Sequence, residues 1–164
     1  MTRDELADAL WPDESDPARW GSRLSVLLST VRRVLKGGIH ADRQTVALDL
    51  DSVDLDLVRL HDADDAATIV ALHSGPFLAE EAAEEWRRGP HDEALAVARQ
   101  AGHRLLADAL DTPDPAEATR LAHLLLGWDE GDAIAHDAAV EAAQLAGDPA
   151  AEAAARERRD AAFD

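Results

Sequence analysis

Cysteine is absent from the 164-residue chain. That excludes a disulfide framework, a thiolate zinc site and a cysteine nucleophile. No apolar run approaches the ~18 residues a membrane span needs. The start, Met1-Thr2-Arg3-Asp4-Glu5, has neither the basic opening nor the apolar stretch of a secretory leader. The expectation is a cytoplasmic protein. Basic charge is scarce: 16 Lys and Arg stand against 34 Asp and Glu, for a net charge of −18, and Lys36 is the only lysine. Such acidity argues against general adhesion to nucleic acid. The seven histidines, at 40, 61, 73, 91, 103, 123 and 136, include no pair at i, i+4 and no His-Glu-x-x-His, so no metal site is expected. No glycine-rich phosphate loop and no serine nucleophile elbow occur. Abundant carboxylates read as a solvated acidic surface. Neither an enzyme nor a cofactor is expected.

Alanine is what the chain has in excess, at 35 positions, and alanine is the best helix former. The apolar fraction of 46% is that of a folded protein. A mainly α protein follows. Charge then divides the chain. Residues 1–50 hold seven basic and eight acidic side chains, whereas residues 51–164 hold nine and 26. Within the front part, residues 17–41 contain Arg19, Arg23, Arg32, Arg33 and Lys36 and no acid. This is the one local positive field in the sequence.

The front reads as helix, helix, hairpin. Thr2 and Glu5 have capping-box spacing, and the helix they open ends near Trp11-Pro12. Asp16-Pro17 starts a second helix, predicted to reach Lys36 and stop at Gly37-Gly38. Leu24, Leu28, Val31 and Leu35 form its apolar stripe, and Arg19, Ser22, Val26, Ser29, Thr30, Arg33 and Lys36 face away from it. Alternation with β-branched residues predicts a hairpin over 39–48 with a polar tip at Ala41-Asp42-Arg43-Gln44. Behind it, helices are expected over 53–63, 65–73, 80–88, 90–110, 114–127, 132–146 and 148–162. Gly75-Pro76, Gly89-Pro90, Thr112-Pro113, Gly131 and Gly147 separate them. Asp114-Pro115-Ala116 recurs 34 residues later as Asp148-Pro149-Ala150, the period of tetratricopeptide helix pairs. Trp11, Trp20, Trp86 and Trp128 read as packing residues, with Trp20 alternatively placed to lie on a phosphate.

These residues carry a family resemblance. Leu6-Ala7-Asp8-Ala9-Leu10-Trp11 and the helix ending Leu28-Ser29-Thr30-Val31-Arg32-Arg33-Val34-Leu35 resemble the OmpR-type winged helix of bacterial SARP regulators, the Streptomyces antibiotic regulatory proteins. Val53-Asp54, Gly75-Pro76-Phe77-Leu78 with Trp86, Ala135-His136 and Ala146-Gly147-Asp148 are similar to elements of that family's bacterial transcriptional activator domain. The chain departs from the pattern in three ways. It opens directly on the Leu-Ala-x-x-Leu-Trp element, without the family's preceding sheet and first helix. Thr45-Val46 stand where a Gly-Tyr is usual, and Ser25 and Thr30 stand where relatives often have Arg.

The resemblance implies a partial winged helix over 1–50 and a tetratricopeptide-like helical activator domain over 51–164. It implies a DNA-binding transcriptional regulator, with RNA polymerase or self-association as protein contacts. Candidate DNA contacts are Arg19, Ser22, Arg23, Val26, Ser29, Thr30, Arg33 and Lys36 on the second helix and Arg43 at the wing tip. The alternative is a protein-interaction module that has lost DNA binding and acts as a partner or antagonist of a regulator. A homodimer is expected because the short front leaves the Leu24–Leu35 stripe without an obvious cover.

Overall fold

In a computed structural model of the chain, the residues described are 1–14, 16–73, 75, 88–112 and 114–164. Among them the protein is mainly helical, with eight helices and one two-stranded antiparallel sheet. Two compact units divide the chain, Met1–Leu55 and Asp56–Asp164.

The first unit begins with α1 (Arg3–Leu10), opened by a complete capping box: Glu5 N–H donates to Thr2 Oγ1, and Thr2 N–H donates to the Glu5 carboxylate. α2 (Pro17–Val34) starts with Asp16 as N-cap and Pro17 in its first turn. It ends two residues before the predicted Lys36. Leu35 is the C-cap, Lys36 turns left-handed at φ 50°, and Gly37 N–H donates to the Arg32 carbonyl. That bond is the closing bond of a Schellman turn, and such a turn ordinarily has glycine at the left-handed position. Here the glycines serve the next two residues: Gly37 has φ 107°, and a Cβ on buried Gly38 would strike Val53.

β1 (Ile39–Ala41) and β2 (Val46–Leu48) form the hairpin, with Ile39 opposite Leu48 and Ala41 opposite Val46. Asp42 closes its tip by accepting from Gln44 N–H, Thr45 N–H and the Thr45 hydroxyl. The Thr45 and Gln44 amides hold the Asp42 carboxyl below its ordinary range. The start of the chain joins the sheet edge: Thr2 bridges Thr45 antiparallel, and Val46 N–H donates to the Met1 carbonyl.

This arrangement overturns the expected uncovered stripe. Leu24 and Leu28 are buried with Val46, and Leu6, Trp11, Trp20, Ile39 and Ala41 pack around them. α1 and the hairpin cover the stripe from two sides, so the motive for a dimer through Leu24 and Leu28 disappears. Both tryptophans here are packing residues.

The second unit comprises α3 (Asp56–Asp62), α4 (Ala66–Leu72), α5 (Arg88–Asp111), α6 (Pro115–Trp128), α7 (Ala133–Leu145) and α8 (Pro149–Phe163). Each helix from α4 to α8 packs on its neighbour in the chain, and α5 also meets α7. Alanine sets the spacing: eleven of the seventeen buried hydrophobic side chains described here are Ala. Small side chains let helix axes come close, and a Cβ on Gly102 of α5 would lie 2.8 Å from Leu125 of α6. Asp114 and Asp148 cap α6 and α8, accepting from Glu117 N–H and from Ala150 and Ala151 N–H. Gly89-Pro90 does not break the chain as expected. α5 runs through it, because Pro90 falls in the first turn, where no intrahelical N–H is needed. The expected helix 80–88, with Trp86 and the Phe77-Leu78 element, lies outside the described residues except at Arg88.

Candidate nucleic-acid interface

α2 is held by its buried side through Leu24 and Leu28, so its outer surface is fixed by helical geometry. At ~100° per residue, Arg19, Ser22, Val26, Ser29 and Arg33 lie roughly 140–180° from Leu24. All five are exposed. Arg23 and Thr30 turn onto a flank between this face and the core. Lys36 lies just past the helix end, and Arg43 lies in the hairpin tip, both exposed. The structure thus brings five of the nine candidate residues to one face, with Arg23 and Thr30 beside them.

Their bonding state separates them further. The Arg23 guanidinium sits over the Trp11 ring at 4.4 Å, a cation–π contact that draws it toward α1. Arg32, also basic, donates to the Ala41 carbonyl at 3.0 Å and ties α2 to the hairpin. Arg19 pairs loosely with Asp16 at 3.5 Å, and both side chains are largely exposed. Arg33, Lys36 and Arg43 show no hydrogen bond or ion pair to any described residue. Ser22 and Thr30 donate their hydroxyl protons to the carbonyls of Ala18 and Val26. Their oxygens keep acceptor capacity only.

One basic residue escaped the sequence reading. Arg3 donates to the Asp42 carbonyl at 3.3 Å and to Ser25 Oγ at 3.4 Å, linking α1, α2 and the hairpin tip. Its place beside Thr2 in the capping box carried no signal of that long-range contact.

In the second unit, Asp132 is 2% exposed and accepts from Arg99 Nε and Nη2 at 3.2 and 2.9 Å, from His103 Nε2 at 2.8 Å and from Ala135 N–H at 3.1 Å. Arg99 also pairs with Asp129 at 2.8 Å. Burial pushes the Asp132 carboxyl up, but the Ala135 amide, His103 and Arg99 together hold it below its ordinary range. Every oxygen is committed to capping α7 and clamping it to α5, which makes the cluster structural. Arg99 and His103 lie 33 and 29 residues before Asp132, and no sequence signal pairs them with it. His73 meets Trp128 edge-on at 4.8 Å, and burial, then nearby His91, lowers its pKa. Among the described residues no group of three or more His, Asp or Glu is placed to hold a metal ion. No helix among them is long and apolar enough to cross a membrane.

Comparisons with protein-family models, with curated proteins and with solved structures found no match.

Proposed function

We propose that the chain is a DNA-binding transcriptional regulator of the SARP type, with α2 as its recognition helix and the 39–48 hairpin as its wing. One observation carries this reading: in a chain of net charge −18, the exposed face of α2 bears Arg19, Ser22, Ser29 and Arg33 with no acid. Lys36 and Arg43, both exposed and without a partner among the described residues, extend the positive field beyond the helix. A major groove about 12 Å wide admits a helix presented in this way. Arg33 offers paired donors to a guanine edge or a phosphate, and Val26 offers a methyl surface to thymine. Arg43 at the tip suits the backbone or the minor groove. Acidity elsewhere repels the duplex and leaves the basic face as the favoured approach. The helical second unit takes the role of protein contact, with RNA polymerase as the partner the family resemblance implies.

The test is duplex binding by fluorescence anisotropy at several salt concentrations. Arg19, Arg33, Lys36 and Arg43 remain after Arg23 and Arg32 are discounted. Four phosphate contacts at ~0.9 each give a log–log slope of about −3.6 per chain. A flat salt dependence, or no binding at low salt, rejects the proposal.

A further inference from the structure

Overlapping one edge of the proposed DNA face, α2 carries a second surface that the first unit leaves bare. Leu27, Thr30 and Val34 lie with Arg23 along one line of the helix, at three- and four-residue spacing, roughly 60–120° from Leu24. Val26 and Val34 are 69% and 70% exposed, and Leu27 is 36% exposed. With Trp11 from the C-cap of α1, the residues Ser22, Arg23, Val26, Leu27 and Thr30 line an open groove of about 470 Å³. Its walls are less polar than their residue names. Ser22 and Thr30 have given their protons to the backbone, and the Arg23 guanidinium is stacked over the Trp11 ring. α1 and the hairpin are already spent on the Leu24–Leu28 side.

We propose that this groove docks an amphipathic helix of a partner protein, one with leucine-like side chains on its inner face and carboxylates along one edge. A helix is indicated because the floor is itself a helix stripe, about 16 Å long from Arg23 to Val34 at ~1.5 Å per residue, and helices pack ridge into groove. Charge complementarity selects the acidic edge. Arg23 lines the groove, and Arg19 and Arg33 flank it by helical geometry. No acid occurs between residues 17 and 41, with Asp16, beside Arg19, standing just before that stretch. The same charges oppose a second copy of α2, since an antiparallel pair centred on Thr30 brings Arg23 of each chain toward Arg33 and Lys36 of the other. The groove shares Ser22 and Val26 with the proposed DNA face, so a docked helix and a duplex would compete for α2; Leu27 and Val34 lie outside the DNA-facing set and let the two be tested separately.

The probe is a fluorescein-labelled synthetic peptide of about 18 residues, long enough to form a helix. It carries leucine at three- and four-residue spacing and glutamate along one edge, and it is titrated with the full chain. Saturable binding is expected. Val34→Ser, at an exposed position that leaves folding intact by circular dichroism, is expected to weaken it about tenfold, and Leu27→Ser at least as much. Replacing the peptide's glutamates with lysine is also expected to weaken binding about tenfold or more. DNA affinity should be unchanged by either serine variant. The proposal is overturned if the glutamate peptide fails to saturate, if the lysine peptide binds equally well, or if Val34→Ser binds like the parent. Sedimentation showing self-association that Val34→Ser abolishes would overturn it in favour of a second copy.

Discussion

The two units solve the burial problem differently. The first, Met1–Leu55, buries four hydrophobic side chains, Ala7, Leu24, Leu28 and Val46. Hydrogen bonds supply much of its definition: a capping box, an Asp-closed hairpin tip, a chain start joined to the sheet, and Arg3 and Arg32 reaching across elements. The second buries seventeen among its described residues, mostly alanine, along a succession of packed helices. Charge follows the same division. The first unit has seven basic and ten acidic side chains, the second nine and 24. A small core leaves much of α2 facing outward, and that is where the basic face and the apolar groove are found. The larger unit commits Asp132, the one deeply buried carboxylate among its described residues, to holding helices together.

Different changes should therefore break the two units separately. Leu24→Ala removes one of the few core side chains of the first unit, at a cost of about 3–4 kcal/mol. That is most of the stability such a small unit can have. Proton NMR should show the hairpin resonances collapse while those of α6–α8 persist. Loss of both sets together would mean the units fold as one.

Asp132→Ala should do the converse, costing the second unit about 2–3 kcal/mol in urea unfolding. The cost is moderated because Arg99, 31% exposed, keeps its ion pair with Asp129 and can reach water. The same carboxylate makes a pH signature. Its pKa is lowered on folding, so its stabilisation is present above the unfolded-state value and is lost as pH falls through the folded-state value. Asp132→Asn should flatten the acid limb of the stability curve. An unaltered limb would show that other carboxylates control it.

Smaller effects test the helix ends. Asp114→Ala and Asp148→Ala should each cost ~1 kcal/mol, and both should act on the second unit. Near-zero changes at both would refute those caps. Lys36→Gly should stabilise the first unit by roughly 0.5–1 kcal/mol, because lysine occupies a left-handed position there. The same change removes one cation from the proposed interface. It should therefore strengthen folding while weakening DNA binding.

What the sequence made legible was local. Thr2 with Glu5, Asp16 with Pro17, and the Asp-Pro pairs at 114 and 148 each place a side-chain oxygen a few residues from the amide it caps. Those helix starts stand as expected. Long-range partners were not legible. Nothing near Arg3 points to Asp42, and nothing near Asp132 points to Arg99. The Leu24–Leu28 stripe looked uncovered because the pairing of Thr2 with Thr45, which brings α1 and the hairpin together, leaves no trace in either segment. Gly89-Pro90 misled because a proline in a first turn looks the same in sequence as a proline that ends a helix. Of the residues expected on the outward face of α2, Arg19, Ser22, Val26, Ser29 and Arg33 lie there, whereas Thr30 turns to a flank and Lys36 falls past the helix end; periodicity could not show that Trp11 turns Arg23 aside.

Everything proposed for α2 as a DNA reader meets at Arg33, which lies on the opposite side of the helix from Leu24 and has no partner among the described residues. Anisotropy titration of a duplex DNA pool, at low and moderate salt, should be run on the parent chain, Arg33→Ala and Arg104→Ala, the last an exposed change on α5. The account predicts that Arg33→Ala loses ~1–3 kcal/mol of binding with relaxed sequence preference, or lowers the salt slope by about one. Arg104→Ala should match the parent. Failure of the folded parent to bind at low salt, or equal losses in both variants, would contradict it.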